Sequence, residues 1–459
     1  MKIRKIKYNN HPILENLEID LVNPNTGQPY DTILFAGENG TGKTTILSSL
    51  NSFLCLDSFE HFERIEYEVD GHSYAVVSTG ADHDNKRGFH NRIDLQTNAV
   101  TSIRRNRNND VEGIVRDCND IRHCGCVYSK ARADFSVKTI KGTTSLEIDK
   151  NQYDQDNQED FSSLKQLIVD LQTEDSEDLQ EQFEATLNQG FDYAAFKLTT
   201  KMYRFSSAFD NFFEKIKYKK VVTKDGEKNI LFSKHNTDIT IDQLSTGEKQ
   251  IVYRGIYLLR NVGKLDGATI MIDEPELSMH PLWQKRILQY FKDLFKAADG
   301  TQKVQLFFAT HSEYVLGEGL KDQANTLVIV LKDNNGTIEK HEVRTPLVLP
   351  TITASEINYA AFNIPSVDYH IALYGAIQSK YNVNSVVACD RKIESCAPYY
   401  NAAQHEVITT SPTGTTYKTV CTKVRNHIDH PDTAPSYIEE EMIKSIKLMR
   451  DILMHIPVW

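Results

Sequence analysis

The sequence predicts an α/β fold in which buried strands alternate with helices. Two short runs, 268–273 (ATIMID) and 304–309 (VQLFFA), are continuously apolar, as is typical of strands buried on both faces of a parallel sheet. A helix-compatible segment, 282–297, separates them, which makes a β-α-β unit. A third apolar run, 32–36 (TILFA), leads directly into the glycine-rich residues 37–44 and then into another helix pattern. These observations predict a sheet flanked by helices with a phosphate-binding loop at one strand end.

Length, charge and hydropathy exclude several classes of protein. The 459 residues suffice for about three structural units at roughly 150 residues each. With 52 basic and 63 acidic residues the net charge is −11, which argues against a protein that coats nucleic acid over its whole surface. No apolar run approaches the roughly 18 residues of a membrane-spanning helix, and residues 1–10 lead into a strand pattern rather than a signal-peptide core. We therefore expect a cytoplasmic protein without membrane contact.

The cysteines predict a reduced protein without a zinc site. Their number is odd and they are spread thinly, unlike the dense even sets of secreted disulfide scaffolds. Cys124 and Cys126 form a C-x-C pair, but no second pair lies at zinc-site distance. We expect mostly buried thiols at positions 55, 118, 124, 126, 389, 396 and 421.

The N-terminal part of the chain shows strand and helix patterns on both sides of the glycine-rich loop. Residues 3–20 predict strands. After the loop, apolar residues recur at helical spacing and predict one buried face, formed by Ile46, Leu47, Leu50, Phe53 and Leu54.

The stretch 86–107 is locally basic. Six basic residues stand there against Asp94 alone: Lys86, Arg87, Arg92, Arg104, Arg105 and Arg107. A solvated β-hairpin with basic side chains is the simpler interpretation, and a patch that contacts nucleic-acid phosphates is the alternative.

The acidic charge is concentrated in 151–188, which holds eleven acidic residues and one lysine. Its first part, 151–160, predicts a solvated or partly disordered loop. Its later part can form a helix through Leu164, Leu167, Ile168 and Leu171.

The last 110 or so residues change character, because no phosphate-loop chemistry follows residue 346. Segment 437–456 predicts an amphipathic helix, and Ser436 followed by Glu439 predicts a capping box at its start. Its apolar face is Met442, Ile446, Met449, Leu453 and Ile456.

The glycine-rich loop fits the Walker A pattern G-x-x-x-x-G-K-[ST], placed between a strand and a helix as that motif requires. Backbone N–H groups of such a loop and of the following helix donate to phosphate oxygens. Lys43 is expected to contact the β- and γ-phosphates, and the Thr44 hydroxyl to bind Mg²⁺. The predicted nucleotide-binding residues are Gly37, Glu38, Asn39, Gly40, Thr41, Gly42, Lys43, Thr44 and Thr45.

Polar residues follow the two later strands and complete the predicted site. Asp273 and Glu274 end the first of these strands, and His311 follows the second. Because the carboxyl ends of parallel strands meet at one edge of a sheet, we expect all three beside the loop. Asp273 would hold Mg²⁺, Glu274 would be the general base, and His311 would hydrogen-bond the γ-phosphate or the attacking water.

The stretch Leu244-Ser245-Thr246-Gly247-Glu248, about 25 residues before the acidic pair, resembles the L-S-x-G-[EQ] signature of the ABC ATPase superfamily. In that family the signature of one subunit closes over the γ-phosphate bound by another. The resemblance therefore implies an ABC-type ATPase head, ATP and Mg²⁺ as ligands, and a dimer or higher oligomer with ATP between the subunits. Ser245 and Glu248 also fit a capping box that opens a helix, and both interpretations can hold at once.

The phrase Asp273-Glu-Pro-Glu-Leu-Ser-Met-His280-Pro281 resembles the D-E-P-E-x-x-L-H-P box of prokaryotic OLD-like, defence-associated ABC ATPases. In its size and its single ATPase head, the chain is most similar to the PtuA ATPases of Septu and some retron antiphage systems. This resemblance implies a scaffold or regulator that works with a PtuB-like HNH nuclease to degrade DNA, and contact with DNA or RNA through that complex. The head itself carries no H-N-H arrangement and no TOPRIM-type acidic cluster.

Two features depart from the family pattern. Lys43 and Leu244 are 201 positions apart, longer than a transporter ATPase needs, yet no heptad-rich coiled coil lies between them. The Q-loop glutamine is not recognisable, although 127–132 occupies its region and Arg132 could serve a related role. We therefore expect slow hydrolysis.

The predicted divisions are an N-terminal lobe (1–85), an inserted arm with a helical subdomain (86–240), a C-terminal lobe (241–345) and a mainly helical partner-binding or HEPN-like region (346–459).

Near the C-terminus, Arg425 and His430 resemble the R-x4-6-H motif of HEPN-fold domains. In nucleases of that kind, Arg and His of two protomers cleave RNA by acid and base catalysis at the 2′-hydroxyl. This resemblance implies an alternative function, an ATP-gated ribonuclease. The other interpretation is a structural turn between two helices.

Overall fold

The protein is described from a computed structural model, which covers residues 1–108, 119–130, 154–155, 161–186, 190–259, 265–297 and 300–455. The chain divides into two compact units, residues 1–340 and 341–459, and the division falls within a strand. Each unit is described by itself below.

The N-terminal unit contains strands and helices along its whole length. Its first half contains β1 (Lys2–Tyr8), β2 (Glu18–Asp20), β3 (Thr32–Ala36), α1 (Lys43–Leu54), β4 (Phe62–Val69), β5 (His72–Val77), α2 (Asp82–Lys86), β6 (His90–Asp94), β7 (Val100–Ile103), β8 (Cys126–Ser129) and β9 (Asp154–Gln155). Its second half contains α3 (Phe161–Ala185), α4 (Tyr193–Thr199), α5 (Lys201–Phe212), β10 (Ile216–Lys224), β11 (Glu227–Lys234), β12 (Thr237–Thr240), α6 (Thr246–Leu259), β13 (Thr269–Asp273), α7 (Pro281–Leu294), β14 (Gln305–Thr310), α8 (Glu313–Lys321), β15 (Thr326–Asn334) and β16 (Thr337–Glu342).

The C-terminal unit is mainly helical, as the sequence predicted. It contains α9 (Ala354–Phe362), α10 (Val367–Lys380), α11 (Val386–Glu394), α12 (Ala402–His405), β17 (Glu406–Thr410), β18 (Thr416–Thr419), α13 (Val420–Asp429) and α14 (Glu439–Met454).

A seven-stranded sheet in the order β16-β15-β3-β14-β13-β8-β9 forms the centre of the N-terminal unit. The pairs of β3 with β14 and β15, of β13 with β14 and β8, and of β8 with β9 are all parallel. The α/β prediction is thus confirmed. Because β3, β8, β13 and β14 run in the same direction, the residues that follow each of them emerge at one edge of the sheet.

One face of this sheet packs against α1 and a six-stranded antiparallel sheet, in the order β2-β1-β4-β5-β6-β7. The predicted apolar face of α1 is buried in this core. Burying one large apolar side chain contributes about 1.5–3 kcal/mol, so this face anchors α1 and the loop that precedes it. The predicted strand region 3–20 contains two strands, β1 and β2. A turn around His11 and Glu15 lies between them and reverses the chain.

The other face of the sheet carries α6, α7 and α8. The ring of Phe291 on α7 lies 6.0 Å from that of Phe308 on β14. The Tyr290 hydroxyl donates a 2.9 Å hydrogen bond to the carbonyl of Ile251 on α6. These contacts hold α6, whose N-terminus carries the signature motif, firmly on α7.

The segment predicted as an inserted arm, 86–240, includes helices α3 to α5 and a three-stranded sheet, β10-β11-β12. The predicted acidic helix is present as α3. The carboxylate of Asp175 on α3 accepts the backbone N–H groups of Lys201 (2.8 Å) and Met202 (2.9 Å) at the start of α5. Of the predicted acidic loop 151–160, only Asp154 and Gln155 lie within the described residues, as the two-residue strand β9.

The basic stretch 86–107 runs from the end of α2 through the β6–β7 hairpin, in agreement with the simpler of its two interpretations. Several of its arginines bond to acceptors of the same chain. Arg104 pairs with Asp84 at 3.3 Å, and the Arg107 guanidinium donates to the carbonyl of Cys55 at 2.8 Å. These contacts join the hairpin to α2 and to the end of α1, while the Arg104 side chain stays 60% exposed, so the phosphate-binding alternative stays a prediction.

The last helix, α14, begins later than its predicted capping box. Glu441, not Glu439, supplies the carboxylate, which accepts the backbone N–H of Ile438 at 3.1 Å. The predicted cap at Ser436 is therefore wrong. The reason lies in tertiary structure, because Glu441 also pairs with Lys423 of α13 at 2.6 Å and this pairing selects it over Glu439. The predicted apolar face is buried from Met442 to Leu453, whereas Ile456 lies outside the described residues.

The described cysteines are buried thiols, as predicted, and Cys118 lies outside the described residues. No group of three or more His, Cys, Asp or Glu side chains in the described part of the chain could hold a metal ion. Within the same residues, every helix is too short or too polar to cross a membrane.

Candidate functional site

The glycine-rich loop wraps around the ammonium group of Lys43. The Lys43 Nζ donates to the carbonyls of Gly37 (2.9 Å) and Glu38 (2.8 Å), and the side chain is buried. Gly42 adopts φ +87°, a left-handed backbone conformation that favours glycine, and a Cβ atom there would lie 2.6 Å from Leu14 Cδ2. The loop therefore presents the N-terminus of α1 together with a cation, a combination that binds phosphate.

The charge of Lys43 depends on its surroundings. Burial lowers its pKa to about 8, although the nearby carboxylates of Asp273, Glu274 and Glu276 raise it. In most molecules Lys43 is therefore protonated at neutral pH, and it supplies the positive charge that a phosphate requires.

Asp273 reaches the loop from the end of β13. Its Oδ1 accepts the Thr44 hydroxyl at 3.2 Å, and its Oδ2 accepts the Tyr128 hydroxyl at 3.2 Å. Burial raises the pKa of the Asp273 carboxyl, while these hydrogen bonds lower it in part. A hydroxyl and a carboxylate side by side form the hard oxygen donor set that suits Mg²⁺, so the residues present fit that ion.

Glu274 and His311 form the third part of the site. Glu274 has φ +44°, and its backbone N–H donates to the carbonyl of Ala309 at 2.9 Å. The His311 Nε2 lies 3.6 Å from Glu274 Oε1, and both side chains are about one-third exposed. Burial, and then the charge of Lys43, lower the pKa of His311. The His311 imidazole is thus neutral at neutral pH, and the Glu274 side chain beside it is accessible to solvent.

The signature residues open helix α6. The Ser245 backbone N–H donates to Glu248 Oε2 at 2.8 Å, and the Glu248 N–H donates to Ser245 Oγ at 3.4 Å, which is a reciprocal capping box. A Cβ atom on Gly247 would lie 3.0 Å from the carbonyl of Ser278, so the backbones approach closely here. Leu244 is buried, whereas Ser245 and Thr246 are exposed.

The signature lies at the end of α6 that is remote from the sheet edge. Arg254, on the same helix, donates to the carbonyls of Asp273 (2.9 Å) and Lys130 (3.1 Å) at that edge. Thr246 precedes Arg254 by eight positions, which is about 12 Å along the helix axis. Within one chain, the structure therefore brings together Lys43, Thr44, Asp273, Glu274 and His311, and places Leu244–Glu248 apart from them.

Three residues at this site were given no role from the sequence, although Glu276 lies within the D-E-P-E box. Tyr128 and Arg254 contact Asp273, and Glu276 contacts the backbone of His311. The position of Tyr128 near the end of the short apolar run CVYS was the signal that could have found it. The predicted Q-loop region begins with β8, next to β13, but Arg132 lies outside the described residues.

The C-terminal pair Arg425 and His430 lies on and just after α13. The Arg425 guanidinium pairs with Asp429 at 2.6 Å and donates to Asn426 at 3.1 Å. Both Arg425 and His430 line a cavity of about 510 Å³ within the C-terminal unit. Lys423 also lines it, and no acidic side chain is among the lining residues. Both cations are already paired, Arg425 with Asp429 and Lys423 with Glu441, so they give the cavity little free positive charge.

Comparison with curated proteins finds short matches. The chain is 34% identical over 96 residues to the Retron Ec83 probable ATPase of Escherichia coli, which is 19% of this chain and 17% of that protein. It is 30% identical over 87 residues to the aspartate 1-decarboxylase of Gloeothece citriformis (strain PCC 7424), which is 18% of this chain and 56% of that protein. The chain thus spans about a sixth of the length of the first protein and about half of the length of the second.

Among solved structures, the SMC head bound to the C-winged helix domain of ScpA covers 75% of this chain and 98% of its own, with 11% identity and a TM-score of 0.40. The fold assignment above depends on the observed sheet topology and not on this likeness.

A family model described as "AAA domain, putative AbiEii toxin, Type IV TA system" matches residues 79–317. The matched segment begins after the glycine-rich loop and includes the signature, the acidic pair and His311. Because it spans just over half of the chain, this protein belongs to the AAA-domain ATPase family that the model describes.

Proposed function

We propose that the protein is an ABC-type ATPase that binds Mg-ATP between two copies of itself and acts as a nucleotide-controlled scaffold of an antiviral defence complex. The nuclease of that complex would be a partner chain of the HNH class. The observation that carries the ATPase proposal is the separation of the two half-sites in one chain. The loop and acidic pair lie at the sheet edge, while the exposed Ser245 and Thr246 lie at the other end of α6.

Binding of the triphosphate uses the glycine-rich loop and the start of α1. Lys43 would exchange its two carbonyl contacts for phosphate oxygens, so that both the donor and the acceptor of each bond carry charge. Thr44 and Asp273 would hold Mg²⁺, which supplies positive charge to the phosphates.

Hydrolysis requires a base at the sheet edge. Glu274 is accessible and lies beside a neutral imidazole, so it can accept a proton from water while His311 donates a hydrogen bond to the water or the γ-phosphate. General base catalysis contributes about 10²–10⁴-fold to a rate.

Closure of the two copies around ATP would follow from the negative charge of the γ-phosphate. The Ser245 hydroxyl and the N-terminal amides of α6 are donors that a γ-phosphate bound by a second copy can accept. These contacts exist only while the triphosphate is intact, so hydrolysis would release the two copies. A dimer that closes and opens in this way can control a partner chain.

The defence role rests on two likenesses. The family description names a putative toxin of a toxin–antitoxin system, and the Retron Ec83 probable ATPase shares 96 residues with this chain at 34% identity. The sequence carries no nuclease motif in its ATPase head, so we assign DNA degradation to a partner.

Mixing two defective variants tests the composite site. Lys43→Ala removes the phosphate cradle, and Ser245→Arg blocks the signature with a bulky cation. Each alone should be inactive, but a mixed dimer keeps one site with an intact loop from one copy and an intact signature from the other. We expect ATP hydrolysis, measured as phosphate release, to reappear on mixing.

Thr237→Arg is the matched control, because it places the same side chain at an exposed position of β12 and should stay active. Activity of Ser245→Arg on its own, or no recovery in the mixture of folded variants, would exclude a site shared between copies.

A second candidate function is cleavage of RNA by the C-terminal unit. The specific observation in its favour is that Arg425 and His430 line the same cavity. Against it, the Arg425–Asp429 pair leaves the guanidinium neutralised. We propose it only as the alternative.

Purified protein incubated with tRNA, DNA and Mg-ATP separates the two candidates. We expect both nucleic acids to remain intact, because the nuclease is assigned to another chain. RNA cleavage that disappears in Arg425→Ala and in His430→Ala, but persists in the nearby surface variant Lys418→Ala, would instead establish the ribonuclease.

A further inference from the structure

The segment that follows β13 folds back beneath the end of β14. Glu274 and Ser278 both adopt left-handed backbone conformations, with φ of +44° and +61°. Between them, the N–H of Leu277 donates to the carbonyl of Glu274 at 3.2 Å, and the N–H of Met279 donates to that of Glu276 at 3.0 Å. This tight turn directs the side chain of Glu276 toward the neighbouring strand.

Glu276 holds the backbone on which His311 is mounted. Its Oε1 accepts the backbone N–H of His311 at 2.7 Å and the Thr310 hydroxyl at 2.8 Å. The residue is 9% exposed, so water competes little for these bonds. Thr310 Oγ1 in turn accepts the N–H of Ser312 at 3.0 Å, which extends the restraint across the strand end.

A second set of bonds closes the link between the two loops. The Ser312 hydroxyl donates to Gln284 Oε1 at 2.6 Å, and Gln284 Nε2 donates to the carbonyl of Met279 at 3.0 Å. The backbone at 310–312 is thus tied to 276–284 at both ends. The His311 imidazole, which projects from this restrained backbone, lies 3.6 Å from Glu274.

The other oxygen of Glu276 is not used in this arrangement. Oε2 is buried and accepts no hydrogen bond from the residues that the structure describes. A buried polar atom without a partner costs about 1–3 kcal/mol, so a carboxylate is an expensive choice if fold stability were its only role. Such unfavourable groups concentrate at functional sites.

We propose that Glu276 is a positioning residue for the hydrolysis reaction, which fixes His311 beside Glu274 by accepting its backbone N–H. The inference rests on the proposed ATPase function. It assigns Glu276 no contact with the nucleotide, so ATP affinity should not depend on it. A displacement of about 1 Å in a reacting group can cost about 100-fold in rate, which sets the scale of the effect.

Steady-state kinetics of Glu276→Ala test this role. We expect kcat to fall by about tenfold to 100-fold with KM and the Kd for a fluorescent ATP analogue unchanged. Glu276→Gln should recover most of kcat, because its amide oxygen can accept the same two bonds. Glu313→Ala, a nearby carboxylate in the first turn of α8, is the matched control and should behave as wild type.

The double variant Glu276→Ala/His311→Ala distinguishes positioning from an independent effect. If Glu276 acts through His311, the double variant should be no slower than His311→Ala. Multiplied losses, or an unchanged kcat in folded Glu276→Ala, would overturn the proposal. If Glu276→Ala does not fold, Glu276→Asp takes its place, because the shorter side chain cannot reach the His311 N–H. An unchanged kcat in Glu276→Asp would equally contradict the proposal. Lack of hydrolysis by the wild type would instead refute the proposed function.

Discussion

Replacing Glu274 with glutamine is expected to lower ATP hydrolysis by about 100-fold or more while ATP stays bound. The amide keeps the size and polarity of the carboxylate but cannot accept a proton from water. Since the triphosphate then persists, the two copies should remain closed around it. Phosphate release under single-turnover conditions and the molar mass in saturating Mg-ATP, from size-exclusion chromatography with light scattering, measure both effects.

Glu318→Gln is the matched control for this change. Glu318 lies on the surface of α8, where it pairs with Lys321, and its replacement should alter neither turnover nor mass. Full turnover in Glu274→Gln would show that another group is the base. A strictly monomeric Glu274→Gln protein with ATP bound would instead contradict the shared site.

Replacing Lys43 with alanine is expected to weaken ATP binding by about tenfold to 100-fold or more. The ammonium is buried inside the loop, and hydrogen bonds to charged groups contribute about 1.5–3 kcal/mol each. Hydrolysis should be lost with binding. Titration calorimetry with ATP and Mg²⁺ on the Glu274→Gln background measures the affinity without turnover.

Lys7→Ala provides the comparison for Lys43→Ala, because Lys7 pairs with Glu63 on the surface of β1 and has no role in the site. Equal affinities in the Lys43→Ala and Lys7→Ala proteins would show that the loop does not bind the triphosphate. A loss in both would indicate a general effect of removing positive charge.

Much of the fold could be predicted because the relevant signals are local. The apolar runs that became β3, β13 and β14, and the buried face of α1, follow from spacing within a few residues. The capping box of α6 is equally local, since Ser245 and Glu248 are three positions apart. The box predicted for α14 was wrong, since two glutamates could serve and the distant Lys423 selected the later one.

The sequence by itself determined the parallel sheet, the glycine-rich loop and the order of polar residues at the strand ends, because period and spacing are properties of neighbouring residues. Only the tertiary structure decided which side chains meet. Thr44 contacts Asp273 across 229 positions, and Tyr128 contacts the same carboxylate across 145. Glu276 reaches His311 only because the chain turns back after β13. Such contacts depend on strand order and backbone reversal, which no local pattern encodes.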